Sequence, residues 1–224
     1  MIVGLLGFIG SGKGTAGDIL KDLSFQQVSF AKGVKDVAAE MFDWPRHLLE
    51  GDTEESRVWR EQPDKFWSKE FGKDFSPRQA LQLMGTEVGR DVFHSDFWVI
   101  KLKKYMKENY GTNFVITDVR FENEIKFLKE QGGILIEVQR GKQPIWYNDM
   151  VNNIHDEEFR TELMKKFNVH PSEWKWVGHD IDYKIQNEGT LEDLKINLIK
   201  CLYSSYGPGK IDELNKELDY EIIN

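Results

Sequence analysis

Residues 1–20 read MIVGLLGFIGSGKGTAGDIL, and the stretch that decides the fold is GFIGSGKGT, from Gly7 to Thr15. The apolar run IVGLL before it predicts a buried strand. After it, apolar residues recur at helical spacing, which predicts a helix from Lys13 to Leu23. A glycine-rich turn therefore connects a stiff strand to a helix and is held at both ends.

The turn contains the spacing G-x-x-x-x-G-K, from Gly7 to Lys13. Where this pattern joins a strand to a helix, it favours phosphate binding. Missing Cβ atoms let successive N–H groups turn towards one point, and the positive end of the helix dipole adds to the attraction for an anion. Lys13 can reach terminal phosphates, while Ser11 and Thr15 offer hydroxyl groups to phosphate or Mg²⁺. The alternative is a glycine-rich turn that binds nothing.

The last residues of the loop indicate which class of phosphate-binding protein the chain resembles. Ser or Thr usually follows the lysine directly, whereas here Gly14 follows it and Thr15 comes next. The resulting GKGT ending is similar to that of the nucleoside monophosphate kinases, the adenylate-kinase branch of P-loop proteins. This resemblance implies phosphoryl transfer between nucleotides.

The composition is that of an ordinary globular protein, with 40% hydrophobic and 30% charged residues in a chain of 224. A formal net charge of −8 argues against a broad nucleic-acid-binding surface, since phosphate backbones need a basic footprint. No apolar stretch approaches the ~20 residues of a membrane span, and the N-terminus lacks a basic leader. The single cysteine, Cys201, suits a reducing compartment. We expect a cytoplasmic protein without stable nucleic-acid or membrane binding.

Strand and helix signals alternate along the chain, which predicts an α/β fold with a mostly parallel central sheet flanked by helices. The predicted strands after the first are Phe25–Phe30, Phe114–Val119, Ile134–Arg140 and Asp182–Asn187. The predicted helices after the first are Lys32–Met41, Glu122–Glu130 and a last helix that is capped by Thr190 and ends near Leu202. In the helix Lys32–Met41, the predicted inward residues are Val34, Val37, Ala38 and Met41.

Two long segments interrupt this alternation. Residues 43–75 are charged and rich in tryptophan, and residues 141–176 are polar with scattered aromatic residues. Each follows a core element and returns to one, so we expect both to be excursions over the carboxyl edge of the sheet, where long segments often act as lids. A single domain is predicted over residues 1–206, and a linker with a short helix or tail over residues 207–224.

The predicted strand Phe114–Val119 carries an acid near its end, Asp118, which is followed by Arg120. Open α/β sheets bind ligands at this carboxyl edge. Asp118 is therefore a candidate for the carboxylate that supports a metal in phosphoryl transfer, and Arg120 a candidate cation over the migrating group. The alternatives are a helix cap for Asp118 and a surface ion pair for Arg120. Arg140, at another strand end, either contacts the transferred phosphate or only solubilises the strand.

The segment SPRQALQLMGTEVGRDVF, Ser76 to Phe93, predicts one helix that is capped by Ser76. Its core stripe is predicted to contain Leu81, Met84, Val88 and Val92. A second face combines Arg78, Gln82, Gly85 and Gly89 at helical spacing. The two glycines leave room for a flat ligand, with Gln82 on a base edge and Arg78 on a phosphate. Close helix packing through the glycines is the alternative.

Arginines also lie among the tryptophans of residues 43–75, at positions 46, 57 and 60. Such a mixture can sandwich a base. The same segment is rich in glutamate, however, and ion pairing is the favoured interpretation for most of these arginines.

Together these segments resemble the deoxynucleoside monophosphate kinases of tailed bacteriophages over most of the chain. The likeness comprises the GK-x-T loop ending, FAKGVKD at residues 30–36, SPRQALQLMGTEV from Ser76, WVIKL near Trp98, TDVRFENE at 117–124, VQRG at 138–141, HPSE at 170–173 and QNEGTLEDL at 186–194. Their common order and spacing carry the resemblance. The chain departs from the family in residues 43–75 and after Gly207.

The resemblance implies an adenylate-kinase-like fold, often a homodimer, that uses Mg²⁺ and transfers the γ-phosphate of ATP to a deoxynucleoside 5′-monophosphate. It implies that ATP is held by Gly10, Ser11, Gly12, Lys13, Gly14 and Thr15, and that the acceptor is held by Lys35, Arg78, Gln82 and Arg120. The catalytic residues would be Lys13, Arg120, Arg140 and Asp118, and Mg²⁺ would be held, directly or through water, by Thr15 and Asp118. Residues 43–75 would lie on the acceptor side, and residues 141–176 would act as a lid.

Two other functions stay open on the sequence. One is a P-loop kinase for another small acceptor, such as dephospho-coenzyme A. The other is a regulator that binds a nucleotide without turnover.

Overall fold

The computed structural model describes residues 1–209 and residue 211. It groups the chain into two compact units. The first contains Met1–Val28 and the chain from Asn109 onwards, and the second contains Ser29–Glu108. Most of the predicted C-terminal tail, residues 207–224, lies outside the described residues.

The first unit is built on a parallel sheet that has five strands among the described residues, in the order β2-β3-β1-β4-β5. The strands are β1 (Ile2–Leu6), β2 (Gln26–Val28), β3 (Phe114–Ile116), β4 (Ile134–Gln139) and β5 (Tyr183–Gln186). In the centre, Val3 lies between Val115 of β3 and Ile134 of β4. The predicted α/β class with a mostly parallel sheet is confirmed.

The central strands are apolar because both of their faces are covered. Leu5 of β1, Ile116 of β3 and Ile136 of β4 are fully buried. The third strand is shorter than predicted and ends at Ile116, where its pairing with both β1 and β2 stops. Asp118 therefore lies in the segment that follows the strand, not in the strand itself.

Helices cover the sheet of the first unit. They are α1 (Lys13–Asp22), α7 (Glu122–Glu130), α8 (Tyr147–Asn152), α9 (Glu157–Lys166), α10 (Pro171–Trp174) and α11 (Leu191–Tyr206). The buried face of α1 includes Leu20, which shares one core cluster with Leu198 and Leu202 of α11. As predicted, Thr190 caps α11, but this helix ends at Tyr206, because the first residue that leaves helical geometry is Gly207 with φ +76°.

The second unit is helical. Its α-helices are α2 (Lys32–Phe42), α3 (Glu54–Glu61), α4 (Lys65–Phe71), α5 (Pro77–Leu83) and α6 (Phe97–Glu108), with a 3₁₀ turn at Arg46–Leu49 and a π-helix at Met84–Phe93. A core cluster of Ala38, Trp44, Leu49, Phe75 and Ala80 holds it together. Most tryptophans of residues 43–75 serve this aromatic core; Trp44, for example, stacks on Phe42 with ring centroids 4.5 Å apart.

Two predictions for buried faces were wrong in this unit. The segment from Ser76 to Phe93 is not one α-helix, because it changes to π geometry at Met84 and the following residues rotate away from the expected stripe. Val92 is 72% exposed as a result. In α2 the buried residues are Gly33, Val34 and Ala38, whereas the predicted inward residues Val37 and Met41 are exposed.

Candidate active site

The glycine loop leaves β1 in a conformation that requires its glycines. Gly7, Gly10 and Gly12 have φ of +137°, +80° and +101°, values that L side chains rarely adopt. A Cβ on Gly7 would also collide with the carbonyl oxygen of Val138, and one on Gly12 with the side-chain amide of Asn187. Residues at the carboxyl ends of β4 and β5 thus contact the loop closely and fix its backbone conformation.

The helix that follows the loop begins without a side-chain cap. Its N-cap is Gly12, whereas α5 and α11 are capped by Ser76 and Thr190. The first N–H groups of any helix have no partner within it. At Gly14 nothing lies within 4 Å of the place a Cβ would take. The first turn of α1 therefore offers backbone donors and open space to an anion.

Ser11 supplies a polar atom that lacks a partner. The residue is 3% exposed, and among the described residues its Oγ has no hydrogen-bond partner. Its backbone is fully engaged, since its N–H donates to the Phe8 carbonyl (3.2 Å) and its carbonyl accepts from the Asn187 side-chain amide (2.9 Å). A buried hydroxyl without a partner is unfavourable, so this atom fits a phosphate oxygen bound in the loop.

Lys13 lies across the loop. Its ammonium group donates to the carbonyl oxygens of Gly7 (2.6 Å) and Phe8 (2.8 Å). The pKa of Lys13 is lowered to about 8, first by burial and then by the nearby Arg120 guanidinium, while the charges of Glu173 and Asp118 act in the opposite direction. This ammonium is a partly desolvated cation that a phosphate would stabilise.

Arg120 is held on the same site by a carboxylate. Its guanidinium donates to Glu173 Oε1 (2.9 Å) and to Ser172 Oγ (3.4 Å), both in α10. The buried carboxylate of Glu124 accepts from the backbone N–H of Arg120 and so fixes the turn from which this side chain projects. The ion pair was the alternative interpretation of Arg120, although its partner is Glu173 and not a neighbouring glutamate.

The structure thus brings Lys13, Arg120 and Asp118 into electrostatic contact. Thr15 is exposed in the first turn of α1, and Arg140 is exposed directly after β4. Among residues 1–209 and 211, no cluster of three or more His, Cys, Asp or Glu side chains could hold a metal ion. Nucleotide-bound Mg²⁺ takes only one or two protein oxygens besides phosphates and water, so the metal role of Thr15 and Asp118 stays a prediction.

Aromatic residues of the second excursion pack on the loop. The ring of Phe8 contacts those of Trp146, Tyr147 and Trp176, with centroids 5.6, 6.0 and 4.9 Å away. Residues 141–176 are therefore attached to the loop by ring contacts with Phe8. Phe8 is not among the predicted site residues, because its only signal in the sequence is an apolar residue inside a glycine loop.

Glu173 and Asn187 were also missed. Both lie in segments that carried the family resemblance, HPSE and QNEGTLEDL. Their contacts with Arg120 and with the loop join positions far apart in the chain, and nothing in the local pattern indicates such pairings.

In the second unit, the predicted acceptor cations are paired with carboxylates. Lys35 forms an ion pair with Glu50 (2.5 Å), which also binds Arg46 (2.5 Å). Arg46 bonds Asp36 as well, and these two carboxylates raise its pKa despite partial burial. The favoured interpretation, ion pairing, is thus seen for Arg46, and Arg57 likewise pairs with an acid.

On α5, Arg78 lies 3.3 Å from a carboxylate oxygen of Glu61, and Gln82 is partly buried one turn further along. The two glycines of the predicted ligand face differ. Gly89 packs against the Trp98 ring, which leaves no room for a ligand at this position, whereas Gly85 makes ordinary contact with Val34. The carbonyl of Gly85 accepts from Trp98 Nε1 (2.9 Å) and from the Arg90 guanidinium. Helix packing thus explains Gly89.

A parallel sheet whose central strand leads into this glycine loop, with a lysine and an arginine at one anion site, defines a P-loop phosphotransferase. The family model described as deoxynucleotide monophosphate kinase matches residues 49–198, a range that begins after the loop and includes parts of both units. The chain belongs to the deoxynucleotide monophosphate kinase family and is a transferase.

Individual relatives agree with this assignment. A protein of Acanthamoeba polyphaga mimivirus, provisionally named a deoxynucleotide monophosphate kinase, is 31% identical over 217 residues, which cover 90% of this chain and 96% of that protein. The deoxynucleoside-5′-monophosphate kinase of Escherichia phage T5 is 47% identical over 55 residues, 25% of this chain and 22% of that protein. The predicted family resemblance is confirmed.

Solved structures show weaker likeness. Dephospho-CoA kinase from Campylobacter jejuni has a TM-score of 0.42 at 17% identity, over 91% of this chain and 96% of that one. A likeness of this size supports no inference about the acceptor. Within the described part of the chain, none of the helices is both long and apolar enough to span a membrane.

Proposed function

We propose that this enzyme transfers the γ-phosphate of ATP to a deoxynucleoside 5′-monophosphate and so forms ADP and a deoxynucleoside diphosphate. The observation that carries the proposal is the anion site of the first unit, where uncapped helix amides, the buried Ser11 hydroxyl and the Lys13 ammonium share one loop. Family membership supports the acceptor class. The proposed setting is the cytoplasm, or the host cytoplasm if a phage encodes the chain, and a homodimer stays a prediction.

The donor triphosphate is assigned to the loop residues Gly10 to Thr15. Ser11 Oγ gains the hydrogen bond that it lacks. Lys13 exchanges two carbonyl partners for phosphate oxygens, which are stronger partners because they are charged. A bound triphosphate favours the protonated ammonium and raises the pKa of Lys13 from about 8.

Mg²⁺ is assigned to Thr15 and Asp118, directly or through water. When bound there, the ion would neutralise negative charge that develops on the phosphoryl group during transfer. Thr15 offers an exposed hydroxyl in the first turn of α1, and Asp118 lies close enough to Lys13 for their charges to interact.

The acceptor is assigned to four residues: Lys35, Arg78, Gln82 and Arg120. Three of the four are cations that now face carboxylates: Glu173, Glu50 and Glu61. All three pairs are partly exposed to solvent. Ion pairs near the surface contribute only about 0–1 kcal/mol each, so a phosphate dianion can replace these partners at little cost. Gln82 has the donor and acceptor groups that a base edge requires.

Transfer needs little covalent assistance from the protein. Its residues place two anions in line and neutralise the migrating group, a role we assign to Lys13, Arg120 and Arg140. Residues 141–176, fastened at Phe8, would exclude the water that competes with the acceptor for ATP.

The test is a coupled assay of ADP release with ATP, Mg²⁺ and each common deoxynucleoside monophosphate in turn. Dephospho-coenzyme A and acceptor-free reactions run beside them. We expect acceptor-dependent ADP formation with at least one deoxynucleoside monophosphate and none with dephospho-coenzyme A. ADP formation with dephospho-coenzyme A alone would identify a different kinase, and ATP binding without transfer to any acceptor would identify a regulator.

A further inference from the structure

We propose that Asn187 is a positioning residue for the donor nucleotide: it holds the glycine loop so that the loop N–H groups face the triphosphate. The inference rests on the proposed function, because it assumes that the loop binds ATP. Asn187 follows β5 and is separated from the loop by 176 positions in sequence, so only the fold brings them together.

Two hydrogen bonds attach Asn187 to its surroundings. Its side-chain amide donates to the carbonyl oxygen of Ser11 (2.9 Å), and its backbone N–H donates to the carbonyl of Gln139 at the end of β4 (2.7 Å). The residue is partly buried, which shields the side-chain bond from water. Asn187 is therefore anchored to the sheet while its side chain reaches the loop.

The contact is also steric. The side-chain amide lies where a Cβ on Gly12 would lie. Gly12 has a φ of +101°, and the flexible backbone of glycine allows other conformations. A neighbour that touches the glycine and bonds the carbonyl before it restricts that freedom.

The hydrogen bond from Asn187 to the Ser11 carbonyl affects the ligand through the geometry of the peptide bond between Ser11 and Gly12. In a trans peptide the carbonyl and the following N–H point in opposite directions. Since Asn187 binds the Ser11 carbonyl, the N–H of Gly12 must point to the opposite side of the loop. Without the anchor, this peptide plane can rotate and withdraw a donor from the phosphates. A misplacement of about 1 Å can reduce transfer on the order of 10²-fold.

Asn187→Leu tests the proposal, because leucine keeps the branched shape but cannot donate. The matched control is Gln186→Leu, whose side-chain amide bonds Gln139 and not the loop. We expect the dissociation constant of Mg-ATP, measured by calorimetry without acceptor, to rise about tenfold in Asn187→Leu, the loss of roughly one hydrogen bond. In Gln186→Leu it stays within twofold. The KM for the acceptor stays within twofold in both variants.

A purely structural role gives a different result. If Asn187 only anchors the loop after β5, the leucine variant loses thermal stability and active fraction, while its affinity for Mg-ATP is that of the control; this outcome overturns the inference. Should Asn187→Leu not fold, Asn187→Ala is measured in the same way. The binding assay also separates the two proposals. Wild-type protein that binds ATP without phosphorylating any monophosphate refutes the proposed function, and the tenfold effect of Asn187 is still measurable.

Discussion

The two units of this kinase contain two different kinds of proposed anion site. In the first, the donors are backbone amides and a partly buried ammonium, and the ends of β4 and β5 fix the loop that carries them. In the second, the candidate cations Lys35 and Arg78 are flexible side chains that carboxylates neutralise. The first site is preorganised by the fold, whereas the second must exchange its partners when a ligand binds.

This difference has energetic consequences. Preorganised donors lose little entropy on binding and act in a partly desolvated environment, so each contributes strongly to a charged ligand. Ion pairs near the surface contribute only about 0–1 kcal/mol. When a phosphate replaces the carboxylate of such a pair, one negative partner takes the place of another, so the net change in free energy is small. Substitutions in the loop should therefore have larger effects than substitutions among the paired cations.

The largest expected effect comes from Lys13→Met, which keeps the unbranched aliphatic part of the side chain and removes its charge. We expect transfer to fall about 10³-fold, the loss of one preorganised charged donor at the migrating phosphate. The fold should persist, because methionine tolerates a partly buried position. Steady-state ADP release measures the first effect and circular dichroism the second. Nearly normal turnover would contradict the assignment of this loop to ATP.

Arg78→Ala tests the paired cations. We expect the KM for the monophosphate to rise about 30-fold, the loss of a hydrogen bond between charged groups, while the affinity for Mg-ATP changes less than threefold. Arg57→Ala is the control, since Arg57 forms a comparable exposed ion pair with Glu54 but is not assigned to the acceptor. Equal losses for donor and acceptor in Arg78→Ala would assign this residue to structure.

The two units also differ in how well the sequence predicts their secondary structure. The strand before the loop and helix Glu122–Glu130 follow from local periodicity, and the loop follows from its glycine motif; the structure has all three. Local rules failed at Met84, where the backbone changes to π geometry. In the last turn, the N–H of His94 donates to the carbonyl of Gly89 over five positions (3.3 Å). Neither the apolar spacing nor the N-terminal cap of this segment indicates that change.

The same limit applies within the active site. Lys13 and Ser11 could be assigned to it because the motif that contains them is contiguous. Glu173 and Asn187 could not, because their roles depend on contacts made only when distant segments meet at the carboxyl edge of the sheet. The motif predicts the donors of the loop, and the tertiary fold supplies the groups that hold or neutralise them.

The pH dependence of ATP binding sharpens the comparison, because the anion site of the first unit contains the partly buried ammonium of Lys13. The pKa of Lys13 is lowered to about 8, and ATP requires its charged form. As pH rises through this value, ligand-free protein loses the proton, and affinity for ATP should fall by up to about tenfold per pH unit. Calorimetry between pH 7 and 10 measures the slope. The Lys13→Met variant lacks the ammonium, so a similar slope in that variant would assign the titration to another group.

Glu173→Gln has the smallest expected effect. It tests whether the preorganised site of the first unit also contains a carboxylate that a bound phosphate replaces. Glu173 is the carboxylate that faces Arg120, and its charge raises the pKa of Lys13. If this carboxylate occupies the place of a phosphate, its neutralisation should tighten Mg-ATP binding about threefold at pH 7, a typical exposed ion-pair energy. It should also lower the pKa of Lys13, so the alkaline loss of affinity begins at lower pH.

Glu157→Gln is the control, since Glu157 pairs with Lys175 on the same excursion. Weaker binding in Glu173→Gln alone would mean that Glu173 orients Arg120 and that the first unit contains no exchangeable carboxylate.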